Sequence, residues 1–215
     1  MILSLIRAYR EKKISLRALG KILWKIESFH FIFNAITSQR SSGSIAPLYS
    51  KLAQELSSTD NEDTIQSIVN TGILRKLKEK LPGFDEFEVN FMDLIYTKNK
   101  QRDKKIIQYI LEKFMGENIN ALPVDYNSAS IEHILPQSKG DEAIVGNIGN
   151  LILVDKTTNA EKLKDNDFGK KIEYLKDIKY PLDSCLSSAS KWTEKEIKDR
   201  GKSMAHKAYH EIWRL

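Results

Sequence analysis

Apolar residues recur at three- and four-residue steps through the first half of the chain. Leu16, Leu19, Ile22, Leu23, Ile26 and Phe29 form one series. Ile65, Ile68, Leu74 and Leu77 form a second, Phe87, Phe91, Leu94 and Ile95 a third, and Ile106, Ile107, Ile110, Leu111 and Phe114 a fourth. That spacing puts the apolar side chains on one face of a helix, so residues 1–120 read as a helical bundle. Breaks fall at Ser41-Ser42-Gly43-Ser44, at Ser57-Ser58-Thr59-Asp60 and at Pro82-Gly83, where the residue types suit turns and caps. After Gly116 the pattern changes. Residues 117–130, with Pro123, read as loop, and the short apolar runs Ile131 to Leu135 and Leu151 to Val154 read as strands separated by a segment carrying Gly140, Gly146 and Gly149. Asp155 or Thr157 can cap a helix from about Thr158, and Phe168 to Ile178 continues helically. Thr193 followed by Glu196 is a capping box for a last helix with Ile197, Met204, Ala208, Ile212 and Trp213 on its apolar face. The expected class is α+β, mostly α, with a helical domain over 1–120 and a second domain over 121–215.

Charge divides the chain in the same place. The net charge is +5; residues 1–120 carry 19 Lys and Arg against 14 Asp and Glu, while the rest carries 15 against 15. The basic surplus, including Lys98, Lys100, Arg102, Lys104 and Lys105, is compatible with a polyanion partner, although solvated helix faces share that composition. One cysteine, Cys185, excludes an intramolecular disulfide and a multi-cysteine zinc site, and suits a reducing cytoplasm. Arg7 and Arg10 interrupt the apolar start MILSLIRAYR, which therefore reads as neither signal peptide nor membrane span. His30 reads as a packed helix residue, and His206 and His210, four apart, as surface histidines, because no further ligand type accompanies either position.

The chemistry concentrates in SIEHILPQS, Ser130 to Ser138, and in the strand and helix expected after it. Glu132 and His133 lie on the first expected strand, Asn150 at the start of the second, and Asn159 at the opening of the helix after it. Hydrolysis of a phosphodiester needs a base for water, a hard cation near the phosphate and a group that fixes the base. A histidine near neutral pKa supplies the base, and an amide oxygen such as that of Asn150, or a backbone carbonyl, can hold its other ring N–H. Glu132 and the Asn159 oxygen are hard donors of the kind Mg²⁺ or Mn²⁺ prefers. The same residues also fit a plain strand-end pair with asparagines in turns and caps. Adjacent residues on a regular strand face opposite ways, so a shared site requires the strand to bend or end at His133.

Taken together, EHILPQ, then NIGNLILV, an asparagine nine residues after that Gly-Asn, Asn166-x-Phe168-x-x-Lys171-x-x-Tyr174 and a terminal Arg200, Ala208, Ile212-Trp213 helix resemble the C-terminal nuclease domain of the GmrSD-type modification-dependent restriction enzymes. More broadly they are similar to the HNH, or His-Me finger (ββα-metal), nucleases. The resemblance implies a helical bundle followed by a ββα-metal module and a bracing C-terminal helix. It implies His133 as general base, Asn150 as the residue ordering the strands or the base, and Glu132 and Asn159 as ligands of one divalent ion, Mg²⁺ or Mn²⁺. By the same resemblance Lys162 and Lys171 become expected phosphate contacts, and DNA the expected substrate, with RNA left open. No Walker-type Gly-x-x-x-x-Gly-Lys run occurs, so nucleotide hydrolysis is expected in a partner domain or subunit. The alternative from another class is a silent nucleic-acid-binding or scaffolding subunit with a decayed HNH fold.

Overall fold

The computed structural model describes residues 1–38, 45–116 and 129–215. The break expected at Ser41–Ser44 and residues 117–128 of the expected loop lie outside those residues, as does the expected boundary near residue 120, while Ala129 and Ser130, expected as loop, belong to a strand. The fold is α+β and mostly α. Contacts divide the described chain into two compact units, one of Met1–Phe87 with Ala208–Leu215 and one of Glu88–Lys207.

The first unit is helical. It holds α1 (Ile2–Arg10), α2 (Leu16–His30), α3 (Ile45–Ser57), α4 (Glu62–Ser67) and α5 (Ile73–Lys78), and α6 (Phe84–Met92) begins there. Ser15 caps α2 by accepting from the Ala18 amide at 3.1 Å, and Asn61 caps α4 through Thr64 at 2.8 Å. Each satisfies a first-turn amide that the helix itself cannot. The expected stripe on α2 is realised at Leu19, Ile22, Ile26 and Phe29, all buried, whereas Leu16 in the first turn stays exposed. These residues pack with Leu5, Leu52, Ile65, Ile73 and Leu77. Trp213, fully buried, stacks on Phe31 with centroids 3.7 Å apart. His30 bonds Asn34 at 2.5 Å and the Tyr49 hydroxyl at 2.7 Å, a packed helix residue as its setting predicts.

The second unit carries the sheet. Strands β1 (Ala129–His133) and β2 (Leu151–Asp155) pair antiparallel, with Glu132 opposite Ile152 and His133 opposite Leu151. A helical turn, Thr158–Leu163, comes after β2, and Asp155 rather than Thr157 caps it, accepting from the Thr158 amide at 2.8 Å. The unit also holds α7 (Lys104–Met115), α8 (Glu142–Val145), α9 (Phe168–Asp177), α10 (Ser184–Ser188) and α11 (Glu194–Lys207). Its core gathers Ile134, Ile152, Val154, Leu163, Ile172, Leu175, Trp192 and Ile197. No described helix is long and apolar enough to cross a membrane.

The first strand is displaced from its expected span, Ile131 to Leu135. Beyond His133 the Asn150 side chain takes over the pairing: its Oδ1 accepts from the Leu135 amide at 2.7 Å and its Nδ2 donates to the Leu135 carbonyl at 2.9 Å. Pro136 then offers no amide to extend a ladder. Helix α11 fixes the other strand. Arg200, buried, donates to the carbonyls of Gly149 and Leu151 at 2.8 and 2.9 Å and to Asp183 at 2.8 Å. The close approach requires glycine at 149, where a Cβ would overlap the Ile197 carbonyl oxygen. At the head of α11 one of the two bonds of the expected capping box is present, the Thr193 amide donating to the Glu196 carboxylate at 2.9 Å.

Candidate active site

Glu132 and His133 do share a site, because β1 ends between them and the turn at Pro136. Both line one cleft of about 260 Å³ together with Lys98, Pro136, Gln137, Ser138, Asn159, Lys164 and Asp165. Asn159 reaches it from the turn after β2. Its amide nitrogen donates to Ser130 Oγ at 2.8 Å and to the Ile131 carbonyl at 3.1 Å, which docks that turn on β1 and leaves the amide oxygen as its acceptor.

The ring of His133 is oriented by backbone. Its Nε2 lies 2.8 Å from the Tyr96 carbonyl oxygen. A carbonyl can only accept, so Nε2 carries the hydrogen and Nδ1 is left with the lone pair when the ring is neutral. The Gln137 amide nitrogen stands 3.4 Å from Nδ1, in keeping with that tautomer. The Tyr96 ring stacks on the imidazole at 5.7 Å. Burial pushes the His133 pKa below its ordinary value; the Tyr96 carbonyl opposes that shift and the Lys171 charge adds to it. The ring is therefore neutral at neutral pH.

Glu132 is a buried carboxylate with a built-in counterion. Burial pushes its pKa up, and the Lys171 ammonium pulls it back. Lys171, on α9, has a fully buried side chain and donates to Glu132 Oε1 at 2.5 Å and to the His133 carbonyl at 2.6 Å. One cation thus ties together the two neighbouring residues at the strand end. Lys171, expected as a phosphate contact, thus spends its ammonium on groups inside the fold and is not among the residues that line the cleft. Lys162 is exposed on the turn and does not line the cleft.

Asn150 is wholly buried. Besides Leu135, its Oδ1 accepts from Trp192 Nε1 at 2.9 Å and its Nδ2 donates to the Val145 carbonyl at 2.7 Å. These bonds tie the end of β1 to the turn before β2 and to Trp192, while the His133 ring is held by the Tyr96 carbonyl.

The family model for the C-terminal domain of GmrSD restriction endonucleases matches residues 81–207, more than half of the chain. The chain belongs to that family. Comparison with curated proteins returned no match. The matched span ends at the last residue of the second unit and contains every group that lines the cleft. Membership supports a nuclease role of the restriction endonuclease kind.

A divalent ion of the sort the resemblance implies needs hard oxygen donors. Glu132 and Asn159 provide two in one cleft, with Asp165 lining the same space. That donor set fits a hard cation that keeps several of its waters and not a soft one caged by the protein.

Sequence reasoning missed Tyr96, Gln137, Lys98 and Lys164. Tyr96 acts through its main chain, for which side-chain identity carries no signal. Lys98 lay in the basic run between Lys98 and Lys105, but nothing in its spacing linked that run to His133.

Proposed function

We propose that the chain is a divalent-metal-dependent DNA endonuclease of the HNH type, with His133 as general base. The observation that carries the reading is the buried imidazole, which lines one cleft with Glu132 and Asn159, with Nε2–H held on the Tyr96 carbonyl and Nδ1 3.4 Å from the Gln137 amide nitrogen.

In this reading Nδ1 of His133 takes a proton from a water whose oxygen bonds to phosphorus. The bond from phosphorus to the 3′ oxygen breaks, and that oxygen is protonated from solvent, giving 5′-phosphate and 3′-hydroxyl ends. Tyr96 keeps the ring turned so that Nδ1 and not Nε2 faces the water. Glu132 and the Asn159 oxygen would hold Mg²⁺ or Mn²⁺, which when bound supplies positive charge to the phosphate and the departing oxygen. Lys171 positions Glu132 and the strand end, and Asn150 positions the loop beyond it. A nucleotide-hydrolysing partner domain or subunit and a cytoplasmic setting complete the proposal.

Plasmid nicking tests it. Supercoiled DNA should be nicked in Mg²⁺ or Mn²⁺ and left intact in EDTA. His133→Ala should lower the rate about 10²–10⁴-fold, the usual worth of a positioned base. Cleavage at the wild-type rate in that variant would remove His133 from the mechanism.

A further inference from the structure

A phosphodiester that enters this cleft meets two carboxylates, Glu132 and Asp165, so its approach depends on the cations that line the same space. Most nearby cations are committed. Lys171 is buried on Glu132, Lys139 pairs with Asp167, Lys100 stands 3.5 Å from Glu142, and Arg102 bonds Asp103 at 2.9 Å. Lys98 and Lys164 line the cleft, are exposed, and have no carboxylate partner among the described residues.

Each is tied to a different member of the site. The Lys98 amide donates to Gln137 Oε1 at 3.0 Å, and the Gln137 amide nitrogen faces His133 Nδ1. Lys98 also succeeds Thr97, which is itself buried and which holds a tight turn by accepting from Lys100 at 3.0 Å and donating to Glu142 at 2.7 Å. The segment from Tyr96 to Lys98 therefore supplies both the carbonyl that orients the base and a lysine beside it. Lys164 sits at the Asn159 end, its amide donating to the Asn159 carbonyl at 3.1 Å. Its backbone is left-handed, with φ +36°, in a region that favours glycine. A lysine kept in such a conformation stores strain, and strain of that sort collects at ligand sites.

We infer that Lys98 and Lys164 form a phosphate clamp. Lys98 takes a backbone phosphate on the His133 side of the scissile bond and Lys164 one on the Asn159 side, so the strand is held across the catalytic groups. The ligand class is the sugar–phosphate backbone, read by charge and without regard to base identity. This rests on the nuclease reading above and replaces Lys162 and Lys171 as the cationic contacts.

The test uses the full chain with His133→Ala, whose cutting is slowed, in EDTA, which withholds the metal, and measures anisotropy of a fluorescein-labelled DNA duplex from 50 to 200 mM salt. Adding Lys98→Ala or Lys164→Ala should each lower the slope of log K against log salt by about 0.9, so that the affinity lost across this fourfold range shrinks by about 3.5-fold. Lys98→Arg and Lys164→Arg should keep the slope, and Lys202→Ala, the same charge change at an exposed position of α11, should leave it unchanged. Unchanged slopes in both alanine variants, with wild-type nicking intact and metal-dependent, would overturn the clamp and leave the nuclease reading standing. Absence of both nicking and salt-dependent binding in the wild-type chain would overturn the two together.

Discussion

Replacing Asn150 by alanine separates a role in holding the fold from a role at the reacting atoms. Four groups lose their partner: the Leu135 amide and carbonyl, the Val145 carbonyl and the Trp192 indole N–H. Asn150 is 0 % exposed, so water does not reach them unless the structure opens. A buried polar group left without a partner costs about 1–3 kcal/mol, and carbonyls with a second lone pair fall at the lower end, so the loss is about 4–6 kcal/mol. Domains are stable by only about 5–15 kcal/mol in total. For a unit of roughly 120 residues (Glu88–Lys207) the entropy of unfolding is about 250 cal/mol/K, so Tm of that unit should fall by about 16–24 °C. Thermal unfolding monitored by tryptophan fluorescence measures this, and Trp192 reports from the site of the change. Asn150→Asp should fare little better: a carboxylate can still accept from the two N–H groups, but its second oxygen would face two carbonyl oxygens. A Tm within about 3 °C of wild type, with nicking abolished, would refute the reasoning and place the amide at the reacting atoms.

Other variants probe the same framework. Lys171→Met leaves Glu132 buried without its counterion, a change that costs about 3–5 kcal/mol when a buried pair is broken, and should weaken Mn²⁺ binding as read by the EPR signal of the free ion; undiminished Mn²⁺ affinity would show that Glu132 needs no such tether. Gly149→Ala should prevent α11 from docking on β2, because the new Cβ meets backbone, whereas Gly201→Ala meets the flexible Met92 thioether at 2.7 Å and should cost only about 1–3 kcal/mol; equal melting temperatures for the two would contradict this ordering. The Tyr180 phenol, pushed up to about 12 by burial, donates to the Leu153 carbonyl at 3.0 Å. An acid raised in the fold stabilises it fully below its unfolded pKa, near 10, and loses that contribution as pH rises through 12. The alkaline limb of a stability profile should therefore flatten in Tyr180→Phe, and a limb identical to wild type would argue against it.

Much of this was legible from residue order, since Glu132-His133, Asn150 and Asn159 bear chemical types whose spacing reads without coordinates. The helical stripes were legible too, because burial on a helix has a period. Less was visible where main chain acts. That Tyr96 orients the His133 imidazole depends on a carbonyl, which every residue possesses, and that β1 stops at His133 depends on an asparagine side chain imitating a strand partner. Lys171 illustrates a second limit: a lysine on a helix reads as solvated, and only the depth of Glu132 reveals why this one is drawn inside.

The burial of Trp213 against Phe31 has a consequence in time. The first unit is discontinuous in sequence, needing Ala208–Leu215 to complete it, whereas the second is continuous from Glu88 to Lys207. As the ribosome delivers the chain, the residues that supply Trp213 follow the whole of the second unit, so the first unit gains its last residues after the second is complete in sequence. The later-made unit therefore has all of its residues before the earlier one does.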